Sequence, residues 1–169
     1  MNLKKIKQYL HYIIDKTDQL DNVGKTVLYK ILYFTDFNYY ELFEKKLSSE
    51  TYLKYPFGPA PSNFDLIIEE LQNKGLIKEY ESGSGPYRQV KYRSLVDPGT
   101  SEITDNELYF IDKSINDYSH FNATKISEHS HHDTPYLAAE DFEELDYEMV
   151  FYRTSELSVR NYDYEADNN

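Results

Sequence analysis

The sequence contains no cysteine and no tryptophan, has two methionines, and carries no apolar run approaching the roughly 20 residues of a membrane span. Without cysteine there is no disulfide framework, no thiolate metal site and no thiol redox chemistry, a composition compatible with a reducing compartment. Lysines near the N-terminus are not followed by the apolar stretch of a signal peptide, so we expect a soluble, cytoplasmic protein. A Gly-x-Ser-x-Gly elbow and internal repeats are also missing. Positive charge is scarce in one half only. Residues 1–96 carry 14 Lys and Arg against 12 Asp and Glu, whereas residues 97–169 carry 4 against 18, so all of the negative net charge of −12 arises C-terminally. Such a field repels nucleic acid and anionic membrane and draws in basic partners, besides aiding solubility.

At 169 residues, 40% of them hydrophobic, the chain suits one compact domain. Tyrosine is abundant, with 18 residues, and suits both core edges and protein interfaces. Leu3, Ile6, Leu10, Ile13 and Ile14 predict a first amphipathic helix over Leu3 to Lys16. Val23 to about Lys46 reads as a long, largely buried helix. Thr51 to Phe57 looks extended and closes on Gly58-Pro59-Ala60-Pro61, which neither a helix nor a central strand tolerates. Ser62 or Asn63 is placed to cap a third helix, Phe64 to Lys74, stopped by Gly75. Leu76–Glu81 and Gln89–Leu95 flank Ser82-Gly83-Ser84-Gly85-Pro86 and predict a β-hairpin. Further helices are predicted over Asp105–Tyr118, Ala123–Glu128 and from Thr134 through Phe142 and Leu145. The expectation is an α+β fold, mainly α. It has a winged-helix-like helical core, a small hairpin and additional C-terminal helices, with one domain over residues 1–152 and an acidic, frayed tail over 153–169.

Three chemical readings compete with a plain structural one. Gly24-Lys25-Thr26 imitates the end of a phosphate loop, but Gln19 stands where its first glycine belongs and the preceding segment reads as helix. The run His129-Ser130-His131-His132-Asp133 offers imidazoles at metal-sharing spacing, against the simpler reading of a loop that caps the next helix. A winged core raises DNA binding through Lys78, Arg88, Lys91 and Arg93. The third helix, however, would present Asp65, Glu69 and Glu70 to phosphates with only Lys74 in support.

Two stretches carry a family resemblance. Lys30-Ile31-Leu32-Tyr33-Phe34-Thr35-Asp36, then Tyr39-Tyr40, then Thr51-Tyr52-Leu53-Lys54-Tyr55-Pro56-Phe57-Gly58-Pro59-Ala60-Pro61 form the first. Ala123-Thr124 through Ser130-His131 to Thr134-Pro135-Tyr136 form the second. Together they resemble the SocA-like, or Panacea, antitoxin domain of bacteria and their phages over about Leu3 to Phe142. Tyr136 replaces the family's usual tryptophan, Thr35 its alanine and Ala60 its valine.

The resemblance implies a non-enzymatic antitoxin of a toxin–antitoxin system that neutralises a cognate toxin by direct contact, without cofactor or metal. Tyr33, Asp36, Tyr40, Tyr52, Lys54, Gly58, Pro59, His131, Pro135 and Tyr136 are its motif residues, structural or partner-binding. The toxin's surface is expected to be basic, self-association remains an option, and nucleic acid and membrane are not expected as partners. A DNA-binding regulator, a metal enzyme using the histidines and a phage-associated binding protein without a toxin stand as alternatives. From the residues themselves, Tyr33, Asp36 and Tyr40 fall near one helical face. Asp36, set among apolar residues, either accepts hydrogen bonds from the extended Tyr52–Gly58 segment or anchors a ligand.

Overall fold

The computed structural model describes residues 2–162. Helix α1 (Leu3–Thr17) starts at Asn2, whose side chain accepts the Lys5 N–H, and it buries Ile6, Leu10, Ile13 and Ile14 as their spacing predicts. Helix α2 (Lys25–Phe43) is the spine. Every residue from Lys30 to Tyr39 is buried, so the helix is covered on all sides and its polar residues must find partners inside the protein. It ends three residues short of the expected Lys46, where Glu44 turns left-handed at φ 55°. Gly24 precedes it for a steric reason. A Cβ there would stand 2.6 Å from the Gln89 side chain and 2.9 Å from the Val90 carbonyl.

Strands β1 (Tyr52–Tyr55) and β2 (Gly58–Pro61) form a tight antiparallel hairpin in which Tyr52 faces Pro61 and Tyr55 faces Gly58. The Gly-Pro-Ala-Pro run is therefore itself a strand. It is admissible because β2 lies at the edge of its sheet, where the missing N–H groups of Pro59 and Pro61 leave no ladder partner bereft. Helix α3 (Phe64–Asn73) follows, and the Glu50 carboxylate accepts the Asn63 backbone and side-chain N–H groups at 3.2 and 2.8 Å. The hairpin β3 (Ile77–Ser82) and β4 (Gln89–Ser94) completes the expected helix–helix–helix–hairpin order, with β1 and β2 set between α2 and α3. Helix α4 (Asp105–Tyr118) opens with a reciprocal Thr104–Glu107 capping box and packs on α2 with α5 (Ala123–His131). No described helix is long and apolar enough to cross a membrane.

Two expectations need correction. The helix predicted from Thr134 through Leu145 is only α6 (Thr134–Ala138). Glu140, Asp141, Glu143 and Glu144 would load carboxylates onto the negative end of a helix. The backbone instead turns at Asp141–Phe142 and then lies along the free edge of β1: Phe142 N donates to Lys54 O at 2.7 Å, Lys54 N to Glu143 O at 2.9 Å and Leu145 N to Tyr52 O at 2.8 Å. This strap brings Leu145, Tyr147 and Val150 into the core, the last two within a 3-10 turn over Tyr147–Tyr152.

Residues 153–162 are not a frayed tail. Arg153 is buried, donates to both oxygens of buried Asp133 at 2.9 and 2.8 Å, and reaches Asn38 at 2.8 Å and buried Glu41 at 3.0 Å. Glu41 also accepts from Val159 N at 3.0 Å and Tyr162 OH at 2.9 Å. The rest of the expected tail, 163–169, lies outside the described residues. Burial opposes the charge of Arg153, but Asp133 and Glu41 raise its pKa above the ordinary arginine value. Replacing Arg153 by methionine leaves two carboxylates buried without a counter-charge, and we expect a loss of about 3–5 kcal/mol in urea denaturation. A loss under about 1 kcal/mol would contradict this role.

Candidate functional site

The motif residues converge on the β1–β2 hairpin and the elements that clasp it. From α2, Lys30 Nζ donates to the Pro59 carbonyl at 2.9 Å and lies 5.1 Å from the centre of the Phe57 ring. One turn and a half further on, Asp36 is wholly buried. It accepts from Ser48 N at 3.2 Å, from Ser48 Oγ at 2.8 and 2.9 Å, and from the Tyr52 hydroxyl. Of the expected Tyr52–Gly58 segment only Tyr52 donates to Asp36, and with Ser48 it fastens the α2–β1 loop and the first residue of β1 to the spine. Burial pushes its carboxyl up to about 7, against the pull of its hydrogen bonds, and burial alone pulls the Lys30 amine down to about 7.

From the other side, the α5–α6 corner holds the same hairpin. His131 sets Nε2 against the Pro56 carbonyl at 2.7 Å and Nδ1 against the Ser127 carbonyl at 2.5 Å. Tyr136 OH donates to the Tyr55 carbonyl at 2.6 Å, and Lys54 Nζ lies over the Tyr136 ring while donating to Ala139 O at 3.1 Å. Pro135 is buried in the first turn of α6. Gly58, at φ 113°, lets the hairpin close. A Cβ there would stand 2.7 Å from both Lys30 Cε and Ser130 Oγ, so α2 and α5 approach this one residue from two directions.

Tyr33, Asp36 and Tyr40 leave one helical face for three separate destinations. Tyr33 OH donates to Asp133 at 2.6 Å, Asp36 takes Tyr52, and Tyr40 donates to Glu148 on the 3-10 turn, a bond that pushes its hydroxyl pKa up to about 12. The sequence reading missed Arg153 and Glu41. An arginine in an acidic C-terminal half is a visible oddity, but its partners lie 20 and 112 residues away.

The metal and phosphate-loop chemistries do not assemble, and two of the four wing cations are engaged internally. His129 packs against Phe34 and Phe121, with its pKa lowered by burial, while Asp133 is consumed by Arg153 and Tyr33. Among the described residues no three His, Asp or Glu side chains could share a metal ion. In the wing, Lys91 is buried and bonded to Leu20 O at 2.8 Å, and Arg88 pairs with Glu81 at 2.8 Å. Lys25 opens α2 and pairs with Asp65 at 2.9 Å, with a helix in place of the strand that a phosphate loop requires.

Two measurements test the clasp. Gly58→Ala combines a left-handed backbone with clashes against two packed elements, and we expect a loss above about 2 kcal/mol by urea denaturation, where an unchanged midpoint would contradict the geometry. Asp36 has a raised folded-state pKa, so the folded protein binds its proton more tightly than the unfolded chain does. Its contribution is fully present below about pH 4 and is lost as pH rises to about 7. Lys30 has the opposite dependence, losing its contribution as pH falls from about 10.5 to about 7. The stability difference between wild type and Asp36→Asn should therefore shift against the wild type between pH 4 and 7, and a pH-independent difference would refute the assignment.

A model of the family described as "Antitoxin SocA-like, Panacea domain" matches residues 28–136, which run from the first turn of α2 to Tyr136 and contain the ties that Lys30, Asp36, His131 and Tyr136 make to the hairpin and its approach. The match is narrower than the Leu3 to Phe142 span of the sequence resemblance, and the strap and Arg153 lie beyond it. No curated protein and no solved structure matches the chain. On the strength of that match, which covers more than half of its length, the chain belongs to the SocA-like antitoxin, Panacea-domain family.

Proposed function

We propose that this protein is an antitoxin that neutralises a cognate protein toxin by binding it directly. Family membership supports an antitoxin-type role, and the distribution of surface chemistry supports contact with a basic protein. The observation that carries this reading is that the motif residues are nearly all spent on internal bonds, while the acidic excess lies after Asp97, where exposed apolar side chains stand among it. Tyr109, Leu137, Phe142 and Tyr152 are exposed there, among carboxylates in large excess over Lys and Arg. Aromatic anchors within a charged surround are the composition of protein interfaces, and the acidic field speeds encounter with a basic partner.

The structure dictates how this is tested. Deleting the chain after Phe142 removes Leu145, Tyr147, Val150 and Arg153 from the core, so truncation would confuse loss of fold with loss of contact. The direct experiment expresses the adjacent reading frame alone and together with the full-length chain. We expect growth arrest in the first case, rescue in the second, and a co-purifying complex whose affinity falls as salt is raised. An arrest that the folded chain does not relieve would refute the antitoxin reading.

A further inference from the structure

The turn of the β1–β2 hairpin and the strap on the opposite edge of β1 bring three rings together at the surface. Tyr55 and Phe57 are parallel within 2° at a centroid distance of 5.4 Å, and Phe142 meets Tyr55 edge-on at 5.8 Å. Phe57 is 46% exposed and Phe142 61% exposed. Phe142 also holds φ at 66°, a conformation that a bulky side chain avoids, so its ring is displayed in spite of both solvent and backbone preference. We propose that this ring platform anchors an arginine-bearing basic segment of the protein partner, an inference that rests on the antitoxin reading above.

Preorganisation supports the assignment. The platform is fixed by Tyr136 OH on the Tyr55 carbonyl, His131 on the Pro56 carbonyl and Phe142 N on the Lys54 carbonyl, so a partner need not order it. Rigid exposed aromatics of this kind are the usual anchors of binding energy at interfaces. The charge around the rings selects the partner. Glu140, Asp141, Glu143 and Glu144 flank Phe142 on the strap. All four are exposed, and none makes a side-chain hydrogen bond or ion pair with another described residue.

The cation that does approach these rings, Lys30 at 5.1 Å from the centre of Phe57, is already engaged internally at Pro59 O. A phosphate backbone would meet four unpaired carboxylates, which disfavours nucleic acid. A guanidinium satisfies both features of the surface, because its plane stacks on an aromatic face while its edge forms a fork with a carboxylate. An ammonium can also sit over a ring face, but as a point charge it offers neither the stacking plane nor the fork.

The test uses the full-length chain with labelled hexa-arginine and hexa-lysine peptides, read by fluorescence anisotropy at physiological salt. We expect hexa-arginine to bind roughly threefold to tenfold more tightly than hexa-lysine. In the Phe57→Ser/Phe142→Gly double variant that preference should vanish, while the residual, salt-sensitive affinity persists. Glycine suits the left-handed position, so Phe142→Gly alone serves as a variant that keeps the fold and is read in parallel by thermal unfolding. Equal affinity for the two peptides, or an arginine preference unchanged in both folded variants, overturns the proposal. In the co-expression assay the variants should lose rescue. Full rescue by the double variant beside full rescue by the wild type overturns the platform and leaves the antitoxin reading intact, whereas failure of the wild type itself overturns the antitoxin reading.

Discussion

The guanidinium of Arg153, held between Asp133 and Glu41 in the middle of the molecule, is the interaction on which the rest of the architecture depends. Three charges removed from water are each costly, and they are tolerable together because nearly every lone pair and N–H finds a partner: Tyr33 and Thr134 N complete Asp133, Asn38 shares the arginine, and Ser158, Val159 N and Tyr162 complete Glu41. Because the partners come from α2, the α5–α6 corner and the last described segment, one network reinforces the packing that already joins these elements. Apolar residues would pack there equally well, but they would not dictate which end of the chain returns to which face of α2.

Helix α2 shows three solutions to the problem of a charge inside a protein. Glu41 is paired with an arginine. Asp36 has hydroxyls and one N–H but no cation, and its proton affinity rises to compensate. Lys30 has one carbonyl and aromatic faces, and its proton affinity falls. The latter two point at the same hairpin, so the part of the fold that sets β1 and β2 against the spine is also the part whose ionisation is most nearly balanced at neutral pH.

Much of this was legible in the sequence because it is local. The period of α1, the punctuation around the β3–β4 turn and the Gly58 corner each rest on residues a few positions apart. The Lys30–Pro61 block identified the family, and Asp36 within it announced a buried carboxylate. What could not be read were bonds across long separations. Asp133 looked like a metal ligand or a helix cap, since nothing beside it in sequence names Arg153. Thr134-Pro135 gave a sound helix start, but the end of α6 is set by the unpaired edge of β1, a tertiary demand that overrides local propensity. Tyr33, Asp36 and Tyr40 share a face by spacing alone, and spacing says nothing of their three separate partners.

The strap along β1 has a consequence for synthesis. The chain emerges from a ribosome with α2, β1 and the α5–α6 corner long before Arg153 is available. Until then Asp133 and Glu41 lack the cation that pairs them in the folded protein, and until residues 142–145 follow, the edge of β1 stands open, as unpaired strand edges do in aggregation-prone intermediates. A chain interrupted before residue 142 therefore carries both an exposed strand edge and two carboxylates that resist burial. The residues that close the native structure are made after those they close.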